Sequence, residues 1–150
     1  MDLPLIYLDN CCYNRPYDDQ SQLRINLEAL AKLEIQQQIR NGGLLLASSY
    51  ILVAENAANR FVGKRQDIQA FIDRYTHTYV SEASDSNVKA MAGEIMSTGI
   101  KLMDACHVSC AILSGCRYFI TTDKRLLKYR SERIIMINPV TFIVEMEDKT

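Results

Sequence analysis

Close to its first residue the sequence reads Leu5-Ile6-Tyr7-Leu8-Asp9-Asn10, and this segment indicates the fold class. Its four leading apolar residues have the length and composition of a buried β-strand, and the run ends abruptly at an acidic residue. A strand that is apolar on both faces has to be covered on both faces, which is typical of a parallel sheet between helices. The stretch therefore predicts an α/β protein with Asp9 at the carboxyl end of its first strand.

The rest of the chain alternates strands with helices. Short apolar runs predict the other strands, at residues 44–47, 78–80 (a weak one), 118–120 and 134–137. The first helix is expected from a Ser21 cap to the stop signal Asn41-Gly42-Gly43, with apolar residues at Leu23, Leu27, Leu30 and Leu33. Further helices are expected after Ser49, at 65–75, from 84 to 99 and at 103–114, whereas residues 11–19 predict a loop or broken turn. Strands separated by helices imply right-handed crossovers and a mostly parallel sheet.

Composition excludes several classes of protein. The chain has 150 residues, 48% of them apolar, and no apolar run reaches the roughly 18 residues of a membrane span. Five cysteines without a Cys-x-x-Cys pair and only two histidines fit neither a disulfide framework nor a zinc finger. We expect a single domain over residues 1–150, located in the cytoplasm, with no membrane partner.

Four carboxylates stand in apolar or small-residue surroundings. Two of them follow strands and two lie in predicted helices: Asp9, Asp123, Glu55 and Asp104. Each of them taken singly fits a turn residue, a helix cap or a solvated helix position. Together they predict a cluster, because the carboxyl ends of parallel strands share one edge of the sheet. A hard divalent cation such as Mg²⁺ or Mn²⁺ relieves the repulsion between converging carboxylates.

The ordered set of motifs resembles the PIN-domain ribonucleases, including VapC-type toxins. The resemblance is carried by four stretches: Ile6-Tyr7-Leu8-Asp9-Asn10, residues 49–55, Leu102-Met103-Asp104-Ala105-Cys106-His107 and residues 118–124. It implies a PIN-like three-layer α/β fold, with a mostly parallel central sheet of four to five strands and helices on both faces. It also implies that Asp9, Glu55, Asp104 and Asp123 hold one or two Mg²⁺ or Mn²⁺ ions, with Thr121 as a supporting hydroxyl. Asn10 stands where the family commonly has Thr or Ser, and its amide can take a supporting part.

The function implied by the resemblance is metal-dependent cleavage of RNA. The chain would be an endoribonuclease that leaves a 3′-hydroxyl and a 5′-phosphate, and the toxin of a toxin–antitoxin pair, with a cognate antitoxin and a homodimeric state. Residues 101–130 carry six basic side chains and only two acidic ones. Those expected to hold the RNA backbone are Lys101, Lys124, Arg125 and Lys128, and such contacts make binding salt-dependent.

Other interpretations remain open at this stage. A catalytically silent PIN-fold module that binds RNA or protein has the same motifs, although retention of all four acids favours an enzyme. A receiver-like phosphoacceptor domain would need a pair of acids directly after the first strand, which Asp9-Asn10 does not supply. His107 lies one helical turn after Asp104, and is either a packed, partly buried histidine or a group that tunes that acid or contacts the substrate. The cysteines are expected to pack in the core.

Overall fold

The protein is described here by a computed structural model covering residues 3–149. The strands are β1 (Leu5–Leu8), β2 (Leu45–Ser49), β3 (Thr76–Val80), β4 (Tyr118–Ile120) and β5 (Ile135–Ile137). The helices are α1 (Asn10–Asn14), α2 (Leu23–Arg40), α3 (Tyr50–Ala57), α4 (Val62–Tyr75), α5 (Asp85–Met96), α6 (Leu102–Leu113), α7 (Lys124–Leu127) and α8 (Pro139–Asp148). Short 3₁₀ helices lie at Arg15–Tyr17 and Glu82–Ser84.

The five strands form one all-parallel sheet in the order β3-β2-β1-β4-β5. The first strand is therefore central, with Tyr7 in register with Ala47 of β2 on one side and Phe119 of β4 on the other. The chain adds β2 and β3 to one side of β1, and β4 and β5 to the opposite side. This reversal places a topological switch point beside the end of β1, which is where open parallel sheets form their crevices.

Alternating side chains of β1 face two separate cores. Ile6 and Leu8 pack with residues of α1, α2, α4 and α8, whereas Tyr7 packs with residues of α5 and α6. The sheet thus lies between two layers of helices, and apolar side chains on both its faces are removed from water. The prediction of a three-layer α/β fold with a mostly parallel sheet of four to five strands is confirmed.

The interpretation of residues 11–19 as a loop is wrong for most of that segment. It forms α1 and the 3₁₀ helix at Arg15–Tyr17. Asp9 starts α1, because its Oδ1 accepts a hydrogen bond from the backbone N–H of Asn10 at 2.8 Å. An acid directly after the strand thereby turns the chain into a helix at once, as N-capping side chains do.

Helix α2 ends where the Asn41-Gly42-Gly43 signal predicts, but its apolar stripe faces solvent. Leu23, Leu27, Leu30 and Leu33 are between 44% and 73% exposed, while Ile25, Ile35 and Ile39 are buried. The expected Ser21 cap is also wrong, since Gln22 occupies the cap position and makes no capping side-chain hydrogen bond. The leucine spacing identifies the helix correctly and misidentifies which of its faces is buried.

A buried carboxylate joins α2 to the end of the chain. Glu28 is 2% exposed and accepts hydrogen bonds from Arg15 Nε at 2.9 Å and from Asn138 Nδ2 at 2.6 Å. Asn138 caps α8, a helix that the sequence patterns did not predict. Within residues 3–149, no helix has the length and apolar character needed to cross a membrane.

Candidate active site

Asp9 occupies the centre of the switch-point edge. Its Oδ2 accepts hydrogen bonds from the Thr121 hydroxyl at 2.8 Å and from Cys11 Sγ at 3.4 Å. Burial raises the pKa of the Asp9 carboxyl, while the nearby charge of His107 and the hydrogen bond from Thr121 act in the opposite direction. A carboxylate that is only 6% exposed is solvated by these protein donors rather than by water, and its position is thereby fixed.

Thr121 connects the ends of two neighbouring strands. Its Oγ1 donates to Asp9 and accepts from the backbone N–H of Asp123 at 3.0 Å. Asp123 in turn caps α7, with Oδ1 accepting from the N–H groups of Arg125 at 2.8 Å and Leu126 at 3.4 Å. One buried hydroxyl therefore sets the position of Asp9 relative to Asp123. Asn10, the other residue expected to support the site, begins α1, and its Oδ1 accepts from Asn14.

Glu55 reaches Asp9 from helix α3. Ser49, at the end of β2, caps this helix by accepting the N–H of Leu52 at 3.1 Å, as the Ser48-Ser49 pair predicts. One oxygen of Glu55, one oxygen of Asp9 and one ring nitrogen of His107 all lie within 4.8 Å of one another. The structure thus brings two of the four expected acids together with a histidine.

His107 is the member of this group whose role the sequence left open. Its side chain has no exposed surface, and Nε2 lies 3.4 Å from Glu55 Oε1 without making a hydrogen bond within residues 3–149. Burial lowers the pKa of the imidazole, but Glu55, Asp9 and Asp104 outweigh it, so the pKa is raised overall. The available signal was the Asp104-to-His107 spacing of three, which puts both side chains on one face of α6.

A buried hydrogen-bonded chain holds the His107 ring. The Tyr7 hydroxyl lies 2.7 Å from His107 Nδ1 and 2.7 Å from Ser49 Oγ. Tyr7 itself is fully buried between Phe119, on which it stacks, and the edge of the His107 ring. The three groups tie β1, β2 and α6 together directly behind the acidic site.

Asp104 and Asp123 line a second part of the same edge. They share a pocket of about 90 Å³ with Lys101 and Arg125. Burial raises the pKa of Asp104, and the charges of Asp9 and Asp123 raise it further. These two acids are not members of the group formed by Asp9, Glu55 and His107, but the charge of Asp104 interacts with all three of its side chains.

The basic residues expected to bind RNA are all exposed. Lys101 and Arg125 border the acidic pocket, and Arg125 and Lys128 line a neighbouring pocket of about 340 Å³. Lys124 is the first residue of α7, directly after Asp123. The positive side chains therefore lie beside the carboxylates rather than on a distant surface.

The donor set fits a divalent cation. Asp9 and Glu55 offer the oxygen ligands that Mg²⁺ and Mn²⁺ prefer, and His107 Nε2, which makes no hydrogen bond within residues 3–149, lies 3.4 Å from Glu55 Oε1. Asp104 and Asp123 add negative charge nearby. The arrangement can hold a cation next to a surface that attracts phosphate.

Comparison with known proteins gives a structural match only. No family model matches the sequence, and no curated protein matches it. Seven chains of solved structures match, among them one from the crystal structure of FitAcB from Neisseria gonorrhoeae, with a TM-score of 0.53 and 18% sequence identity. The alignment covers 89% of this chain and 97% of that one. At this identity the likeness shows the fold, which is PIN-like.

Proposed function

We propose that this protein is a Mg²⁺- or Mn²⁺-dependent endoribonuclease and the toxin of a toxin–antitoxin pair. The observation that carries the proposal is the convergence of Asp9 and Glu55 at the switch-point edge, with Asp104 and Asp123 beside them. Their order along the chain is also the order of acids in the PIN-domain ribonucleases that the sequence resembles. The PIN-like fold supports the same interpretation, because its strand order provides a switch-point edge beside the end of β1, where Asp9 lies.

Each of the site residues has a role in the proposed reaction. Asp9 and Glu55 would hold the ion, and Asp104 and Asp123 would add charge or ligands from the adjoining pocket. When bound, a divalent ion neutralises phosphate oxygens and lowers the pKa of a water for attack on phosphorus. Thr121 keeps Asp9 in place during this step through its 2.8 Å hydrogen bond. The proposed products are a 3′-hydroxyl and a 5′-phosphate.

The basic side chains would hold the substrate. Lys101 and Arg125 border the acidic pocket, so a phosphate there meets positive charge on its outer side. Lys124 and Lys128 extend the positive surface along and beyond α7. Contacts of this kind bind the backbone without reading its sequence, because phosphates are the same at every nucleotide.

A protein partner is part of the proposal. The exposed leucines of α2 form an apolar stripe, and apolar surface of this kind favours association with another protein. We propose an antitoxin as this partner, and a homodimer as the state of the toxin itself. The observation that tests the antitoxin is a short open reading frame immediately beside this one, whose product co-purifies with the chain.

The central experiment is cleavage of a labelled single-stranded RNA by the full chain. Cleavage should require Mg²⁺ or Mn²⁺ and stop with chelator. Asp9→Asn and Asp123→Asn should each lower the rate more than about 100-fold, since they alter ligands or the charge beside them. Asp73→Asn, which changes an exposed acid of α4, is the matched control and should leave the rate unchanged.

Two results would contradict the proposal. Full activity in chelator would show that the cleavage does not use this site. RNA binding without cleavage at any metal concentration would favour the alternative, a catalytically silent PIN-fold module that binds RNA or protein.

A further inference from the structure

We propose that His107 is a direct ligand of the divalent ion, through Nε2, and that the site of Asp9, Glu55 and His107 prefers Mn²⁺ to Mg²⁺. The inference rests on the proposed function for the presence of a metal site, and it adds a nitrogen to a ligand set for which the sequence resemblance implies carboxylates alone. It makes His107 a metal-binding residue rather than a histidine packed behind the acids.

The first argument is the spacing of the donor atoms. Nε2 of His107 and Oε1 of Glu55 are 3.4 Å apart, and an oxygen of Asp9 lies within 4.8 Å of both side chains' donor atoms. Two ligand atoms that each lie about 2.1 Å from one ion, at octahedral or tetrahedral angles, are about 3.0 to 3.4 Å apart. The observed pair therefore already has the separation of two atoms that share a cation.

The second argument is that Nε2 is buried and makes no hydrogen bond within residues 3–149. The His107 side chain has no exposed surface. Buried polar atoms in folded proteins almost always have a partner. Glu55 Oε1 lies 3.4 Å from Nε2 and Asp9 belongs to the same cluster, so a cation bound by all three side chains would satisfy each of them.

The third argument is how the opposite nitrogen is held. Nδ1 lies 2.7 Å from the Tyr7 hydroxyl, which lies 2.7 Å from Ser49 Oγ. When Tyr7 donates to Ser49 it accepts from the N–H of Nδ1, and Nε2 then carries the lone pair toward the acids. Metal-binding histidines are usually oriented in this way, by a second oxygen partner on the other ring nitrogen.

The ion preference follows from the chemistry of imidazole. Mg²⁺ takes oxygen ligands and gives up its water reluctantly, whereas imidazole binds transition ions well. The presence of an imidazole nitrogen among the ligands therefore favours Mn²⁺ over Mg²⁺. An alternative role for His107 is that of a buried cation paired with Glu55, and the test has to separate these two.

The test is pulsed electron paramagnetic resonance of Mn²⁺ bound to the full chain, with histidine labelled at the ring nitrogens with ¹⁵N. Direct coordination produces coupling between the Mn²⁺ spin and the imidazole nitrogen. The chain has two histidines, so His77→Gln is the matched control: His77 is exposed on β3. We expect the coupling in the wild type and in His77→Gln, and its loss in His107→Gln, together with at least a tenfold fall in the ratio of Mn²⁺ to Mg²⁺ affinity.

The design does not depend on the folding of a core variant. If His107→Gln fails to fold, coupling that survives in His77→Gln still identifies His107. Mn²⁺ that binds, is lost in Asp9→Asn and shows no imidazole coupling would overturn the inference and leave the carboxylate site intact. Imidazole-coordinated Mn²⁺ in a chain that cleaves no RNA would uphold the inference and contradict the nuclease. Absence of any Mn²⁺ binding would contradict both.

Discussion

Asp104 shows how the acidic site changes the properties of a single residue. It is half-buried in the first turn of α6, and burial together with Asp9 and Asp123 raises its pKa. A folded-state pKa above the unfolded value means that the folded protein retains a proton that the unfolded chain releases. The stability from that proton is present at low pH and is lost as pH rises through the folded pKa. Ionisation of Asp104 as the pH rises therefore destabilises the metal-free protein.

Asp104→Asn should raise the melting temperature of the metal-free protein at pH 7, because it removes one of the repelling charges. The gain in melting temperature should disappear below the unfolded pKa of aspartate, which is about 3.9, because both proteins are then neutral at position 104. Mn²⁺ should stabilise the wild type by mass action, and the variant less. The measurement is a thermal melt with chelator and with millimolar Mn²⁺ at pH values from about 3 to 7. If Mn²⁺ has no effect on the wild type and the variant is only less stable, these acids are ordinary caps and surface groups.

Helix α2 shows what packing decides at the scale of one element. Its spacing of leucines fits a helix, yet the buried face carries Glu28, Lys32 and Gln36 among its apolar residues. Because Arg15 and Asn138 donate hydrogen bonds to Glu28, this polar side chain is buried more deeply than the leucines of the same helix. Hydrophobic periodicity alone could not distinguish the two faces, because the partners that satisfy Glu28 come from distant parts of the chain.

Lys32 on the same helix yields a prediction about pH. Burial lowers its pKa to about 8, against 10.5 for an ordinary lysine, so the charged form is disfavoured in the folded state. The unfolded chain therefore binds more protons between pH 8 and 10.5, and stability rises with pH across that window. Lys32→Met should increase the free energy of unfolding at pH 7 by up to about 3 kcal/mol. This advantage should fade as the pH rises from 8 to 10.5.

Urea unfolding of the wild type and of Lys32→Met at several pH values measures this difference in free energy. The titration of every other group is common to both proteins and cancels from the difference. Lys89→Met is the control, because Lys89 is half-exposed on α5 and pairs with Asp85. It should change the free energy of unfolding by less than about 0.5 kcal/mol at every pH. Parallel curves for the wild type and Lys32→Met would show that the buried charge costs nothing.

The whole molecule combines an acidic site with a basic border. Net charge is only −1, so attraction of an RNA depends on local charge rather than on the total. The basic side chains beside the acids belong to α7, to the turn that follows it and to the residue before α6, all at the switch-point edge. A polyanion can therefore approach the carboxylates without meeting only negative charge.

This distribution predicts the salt dependence of RNA binding, measured in chelator so that no cleavage occurs. The logarithm of the affinity should fall linearly with the logarithm of salt concentration. The double variant Arg125→Gln/Lys128→Gln should reduce the slope by about 1.4, since each single-strand phosphate contact contributes about 0.7. A control pair, Arg60→Gln/Arg74→Gln, alters exposed residues within or next to α4 and should leave the slope unchanged. Equal slopes for both pairs would exclude a specific role for the basic border.

Much of the architecture followed from the sequence by itself. The ends of β1 and β4, the Ser49 cap and the Gly42 stop after α2 depend on short apolar runs, capping oxygens and a positive φ of 78°, which are properties of neighbouring residues. The acids that follow strands were likewise recognisable, because parallel strands bring their carboxyl ends to one edge whatever their side chains.

Completion of the site depends on contacts between elements that are distant in the sequence. His107 enters it because α6 packs against the sheet with that face inward, where Tyr7 and Ser49 hold the ring. The burial of Glu28 likewise depends on hydrogen-bond partners that a local pattern does not specify. Local sequence determines which elements form, since their hydrogen bonds join near neighbours. The rotation of α2 and α6 about their axes depends on tertiary contacts, such as Glu28 with Asn138 and Tyr7 with His107, and only the folded chain determines it.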